Sequence, residues 1–76
     1  MPTLLLDCGL RYFFYSNEGT EPRHVHVERD DDEAKFWLAP VRLAYDGGLN
    51  PADVRRAKVI IEEHEHEFLA RIAAHR

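Results

Sequence analysis

The sequence predicts an α+β domain: a small antiparallel β-meander of three to five strands packed against one long C-terminal helix. Two observations carry that expectation. The first half of the chain holds short runs that alternate apolar and polar residues, separated by turn-forming residues. The last third holds apolar residues at helical spacing behind a capping signal. Residues 1–76 read as a single domain.

The elements follow in order. Residues 3–7, TLLLD, form a short apolar run that reads as a strand, and Gly9 breaks it. Residues 10–16, LRYFFYS, are rich in β-favouring aromatics and read as a second strand. This strand is apolar on both sides, with Leu10, Tyr12 and Phe14 on one and Arg11, Phe13 and Tyr15 on the other. The Asn, Gly and Pro of residues 17–22 mark a loop. In residues 24–30, Val25 and Val27 point one way and His24, His26 and Glu28 the other. Residues 33–38 alternate again, with Ala34, Phe36 and Leu38 opposed to Glu33, Lys35 and Trp37.

A two-residue turn at Asp31-Asp32 joins these two strands. It sets Glu28 against Lys35, His26 against Trp37, Val27 against Phe36 and Val25 against Leu38, with Asp30 facing Glu33 at the exposed end. A slip of one residue would oppose apolar to polar throughout. After Pro40, residues 41–45 read as an edge strand or an irregular segment, and Gly47-Gly48 as a turn.

The helix signal comes next. Asn50 suits the N-cap, Pro51 the first helical position, and Asp53 the first turn, where the helix dipole favours negative charge. Val54, Ala57, Ile61, Phe68 and Ile72 form one stripe, flanked by Ile60 and Leu69. A helix over residues 51 to about 74 is roughly 36 Å long. That exceeds the width of the meander, so one end is expected to project or to pack on something else.

Composition narrows the function. The chain is 45% hydrophobic and carries a net charge of −4, which suits a globular protein and lowers the expectation of a nucleic-acid binder. Cys8 is the only cysteine, so neither an intrachain disulfide nor a thiolate zinc cluster is available. The start, MPTLLLDCGLR, has no basic region before its apolar residues, and no signal peptide or membrane anchor is expected. The expected location is the cytoplasm.

One helix covers one side of a sheet. With Val25, Val27, Ala34, Phe36 and Leu38 as the core side, His24, His26, Glu28, Lys35 and Trp37 share the other, joined by aromatics of strand two such as Tyr15. Such a face reads as a seam between two copies, a binding surface or a catalytic one. Tyr15, Glu28 and Trp37 are its candidate binding residues. His24 and His26 are candidate acid–base residues because imidazole titrates near neutral pH, and Lys35 or Arg11 is the neighbouring cation for a phosphate, which would describe a small ribonuclease. The spacing of His24 and His26 also suits a shared metal ion, with Glu28, Glu18 or Glu21 as a third ligand. Two histidines alone specify no metal, so none is assigned and no cofactor is expected. In the helix, His64 reads as a packing residue at the edge of the stripe, and Arg55, Arg56 and Lys58 as solvated charges balanced by Asp53 and Glu62, in preference to a local basic patch for an acidic partner or nucleic acid.

The segment FFYSNEG (13–19), then Glu21-Pro22, HVHV (24–27), EAKFWL (33–38), Pro40-Val41 and Leu49 resemble a bacterial family, the domain of unknown function 4160. The resemblance spans nearly the whole chain. It departs at Arg23, where the family usually has a second proline before its HVHV. Members are small and are often encoded beside another short protein. The resemblance therefore implies a toxin–antitoxin-like two-gene module, a small protein partner from the adjacent gene and, for a toxin, an RNA target. The net charge does not support RNA binding, a homodimer remains open, and no membrane association is expected.

Overall fold

The computed structural model describes residues 3–15 and 22–74. Five strands form one sheet in chain order, each antiparallel to the next: β1 (Thr3–Asp7), β2 (Leu10–Phe13), β3 (His24–Arg29), β4 (Asp32–Trp37) and β5 (Arg42–Asp46). Two helices follow, α1 (Pro51–Glu63) and α2 (Glu65–Ala74). β2 leaves the ladder after Phe13, earlier than expected, and Ser16 lies outside the described residues. The segment expected as edge strand or irregular chain is the edge strand β5.

The β3–β4 register differs from the expected one by two residues. The turn is Asp30-Asp31, and the opposed pairs are Arg29 with Asp32, Glu28 with Glu33, Val27 with Ala34, His26 with Lys35, Val25 with Phe36 and His24 with Trp37. Asp30 takes a φ of 55°, a left-handed conformation that Asp tolerates better than most residues. The expected register maximised opposite charges directly across the ladder. The actual one satisfies them elsewhere: Glu28 reaches Arg11 on β2 at 2.6 Å, and Glu33 accepts from His26 at 2.9 Å. Side chains repeat every two residues, so this shift leaves the faces unchanged.

The C-terminal rod is also corrected. It is not one helix but two, broken at His64, whose φ of −112° and ψ of 13° leave the helical region. The His64 Nδ1–H donates to the Ile60 carbonyl at 2.9 Å, and the ring stacks on Phe68 with centroids 5.6 Å apart. The longest dimension of the fold is 31 Å, less than a straight helix of these residues would need. The bend keeps the rod over the sheet, so neither end projects as expected. Ala57 and Ile61 of α1 and Phe68 and Ile72 of α2 are all buried in the same core cluster as the sheet's apolar side chains.

Strand two divides as its alternation required. Leu10, Tyr12 and Phe14 join Leu4, Val25, Val27, Ala34, Phe36 and Leu38 in the core beneath the helices. The N-terminal end of α1 is anchored by polar contacts. Asn50 Oδ1 accepts from the Asp53 amide at 2.8 Å, as the cap signal predicts. Arg29 grips the Asp53 carboxylate at 2.8 and 3.3 Å and the Cys8 carbonyl at 2.6 Å. Arg56 grips Asp7 at 2.9 and 3.2 Å, so that cation is committed to the sheet. Lys58 lies 3.9 Å from Glu62.

Both outer strands carry irregularities. β1 shifts register against β2 between Thr3 and Leu5, and β5 shifts against β4 at Lys35/Phe36. Arg71 donates to the Leu4 and Thr3 carbonyls at 2.8 and 3.2 Å, occupying backbone acceptors of β1. Glu65 accepts from the Ala39 amide at 2.8 Å, holding a turn in which Ala39 has a φ of 58°. At Gly48 the φ of +119° is a backbone conformation that residues with a side chain rarely adopt, so the turn into α1 favours glycine.

Tyr12 is completely buried, and its hydroxyl has no hydrogen-bond partner among the described residues. Burial, with Asp7 nearby, pushes its phenol up to about 12. An unsatisfied buried hydroxyl costs stability, so Tyr12→Phe is expected to be neutral or stabilising by about 1 kcal/mol in urea unfolding at pH 7. The unfolded phenol ionises near pH 10 and the folded one near 12, so the unfolded state is increasingly favoured as pH rises between them. That component of the alkaline stability loss is expected to vanish in Tyr12→Phe, as unfolding curves from pH 9 to 12 would show.

Candidate functional site

The sheet face turned away from the helices carries every candidate residue. From β2 and its continuation come Arg11, Phe13 and Tyr15, from β3 His24, His26 and Glu28, and from β4 Glu33, Lys35 and Trp37. Their assembly follows from three antiparallel strands in register, which align alternate side chains into rows. β5 adds Arg42 opposite Trp37 and Tyr45 opposite Lys35.

The rings form a continuous layer. Phe13 stacks on His26 with centroids 5.3 Å apart and planes 20° apart. Tyr15 meets His26 edge-on at 4.8 Å and Phe13 at 5.5 Å. His24 meets His26 at 5.1 Å and Trp37 at 5.8 Å, both nearly perpendicular. Two cations lie on this layer, the Arg11 guanidinium 4.4 Å from the centre of Phe13 and Lys35 Nζ 4.7 Å from that of Trp37.

Burial within this layer differs from the sequence expectation. His24 and His26 were expected as exposed groups on an open face, yet they are 3% and 6% exposed. The rings of Phe13, Tyr15 and Trp37 pack against them. Each imidazole is oriented through Nδ1: that of His24 donates to the Pro22 carbonyl at 2.9 Å, and that of His26 to Glu33 Oε2 at 2.9 Å. Tyr15, Glu28, Lys35 and Trp37 are half-buried and form the accessible part of the face.

The structure brings together all six residues singled out in the sequence. Sequence reasoning missed Glu33 as the acceptor for His26, Phe13 as the central ring, and Arg11 as both ion-pair and ring partner. The alternation had already placed all three on this face, and only the shifted register hid the contact between Glu33 and His26. No group of three His, Cys, Asp or Glu side chains among the described residues lies close enough to hold a metal ion. Glu18 and Glu21, considered as third ligands, fall outside those residues.

The His26–Glu33 contact generates a stability prediction. Glu33→Ala removes the acceptor of a buried N–H and is expected to cost about 1–3 kcal/mol in urea unfolding at neutral pH. Glu33→Gln keeps an acceptor oxygen and is expected to recover most of that loss.

No helix among the described residues is long and apolar enough to cross a membrane. Comparison with curated proteins and with solved structures gives no match. Comparison with family models does, over residues 9–71, which run from the turn before β2 to the last turn of α2 and include the whole ring layer. The chain thus belongs to the family described as Domain of unknown function (DUF4160).

Proposed function

We propose that the outer sheet face is a protein-binding surface, through which the chain serves as one component of a toxin–antitoxin-like two-protein module. The observation that supports this reading is the preset ring layer. Tyr15 and Trp37 are held by neighbouring imidazoles, and Lys35 lies over the indole. Trp, Tyr and Arg are the residues that most often dominate protein interfaces, and rings already fixed in place lose little freedom on binding. The flanking Arg11–Glu28 pair gives the surface a polar rim. The partner is a small protein encoded by the adjacent gene, which rests on the family resemblance. A net charge of −4 fits a protein partner better than RNA.

The test is co-expression with the product of the adjacent gene, followed by co-purification and titration. The wild type is expected to retain the partner. Trp37→Ala, folded by circular dichroism, is expected to bind about 30-fold more weakly, the size of a typical interface hot spot. A wild-type protein that does not bind that partner overturns the reading.

One observation favours a second reading, a small ribonuclease-type toxin with His24 and His26 as acid–base residues. The carboxylate of Glu33 fixes the tautomer of His26 so that Nε2 is the proton acceptor, and Lys35 stands opposite His26 in the ladder, where it could meet a phosphate. On this reading, producing the protein alone halts growth, and His24→Ala with His26→Ala relieves the arrest. Glu33→Gln serves as the milder variant where the double substitution does not fold. Growth arrest undiminished in folded variants of both kinds removes the nuclease.

A further inference from the structure

We propose that this chain forms a domain-swapped dimer in which the helix break at His64 straightens and α2 of each copy docks onto the sheet of the other. The proposal rests on a conflict between local sequence and tertiary structure. Residues 61–67, IEEHEHE, contain neither Gly nor Pro, and nothing in them stops a helix by composition. The break is confined to one residue. Its visible support is the contact of the imidazole with the Ile60 carbonyl and the burial of Phe68 and Ile72 farther along.

At the break, His64 N–H reaches the Ile60 and Ile61 carbonyls at 3.1 and 3.2 Å, and the Phe68 amide reaches the His64 carbonyl at 2.9 Å. A continuous helix would keep the bonds from His64 to Ile60 and from Phe68 to His64 and would add those of the amides of residues 65–67 to the carbonyls of residues 61–63. Straightening therefore gains helical hydrogen bonds for the loss of one imidazole contact. It also withdraws Phe68 and Ile72 from their own sheet, along with Arg71 from the Thr3 and Leu4 carbonyls and Glu65 from the Ala39 amide. The vacated surface then has one occupant complementary to it by construction, the α2 of a second copy. In a two-fold dimer every one of these contacts re-forms between chains. Self-association also suits a domain of this size, whose single core contributes little net stability.

The proposal is tested by sedimentation equilibrium of the full chain refolded at micromolar to millimolar concentration. The wild type is expected to show a concentration-dependent, slowly exchanging dimer. His64→Ala removes the imidazole contact and raises helix propensity at both hinges, and is expected to tighten the dimer about ten-fold. His64→Gly disfavours a continuous helix and is expected to weaken it several-fold. To identify the swap, Thr3→Cys and Arg71→Cys, at a contact six or more residues beyond the hinge, are combined with Cys8→Ser, and the isolated dimer is treated with a short bis-maleimide. On a denaturing gel a swapped dimer runs as a covalent dimer. A covalent monomer, which unswapped subunits would give, overturns the proposal. So do wild-type and His64→Ala proteins that stay monomeric throughout. None of these readouts involves the outer face or its partner, so this inference and the protein-binding reading fail separately.

Discussion

Two short helices form a single layer, and a five-stranded sheet has two sides, so one side must be sealed by its own side chains. This constraint accounts for the unusual chemistry of β2 and β3. Aliphatic side chains on that side would remain wet, whereas rings packed face to face and edge to face shield much of each other's surface. Phe13 takes the central position, and the two imidazoles fill the gaps that Tyr15 and Trp37 leave. Histidine suits this place because its apolar edges tolerate burial and its N–H groups find acceptors locally.

The helical side obeys a different requirement. A sheet that is short along its strands cannot support a straight rod, and the bend at His64 reconciles rod and sheet. The other attachment points lie near the two ends of the rod. Arg29 and Arg56 tie its beginning to Asp53, Cys8 and Asp7, and Arg71 ties its far end to β1. Apolar contact by Ala57, Ile61, Phe68 and Ile72 supplies the attraction between layers, and the guanidinium groups fix how the layers are aligned.

What the sequence revealed, and what it hid, follows from the range of each interaction. Alternation in HVHV and EAKFW identifies faces, because a side chain's face depends on local backbone geometry alone. The cap at Asn50 was legible for the same reason. The β3–β4 register was not, because Glu28 chooses Arg11 of another strand over Lys35, and no pairwise rule for one hairpin contains that competitor. The His64 break was hidden because residues 61–67 are locally helical and only the extent of the sheet bends them. The ring layer was legible as a surface. The enclosure of its imidazoles depends on stacking with Phe13, a long-range contact.

The two outer strands have a further consequence. A flat outermost strand offers a row of backbone groups on which another chain can template itself, the first step towards fibrils. Here the register irregularities in β1 and β5 interrupt that row, and the guanidinium of Arg71 fills part of it at Thr3 and Leu4. Lateral stacking of molecules into ribbons is thereby obstructed at both borders. Leu6, Leu43 and Tyr45 can then stay in contact with water without seeding indefinite polymers.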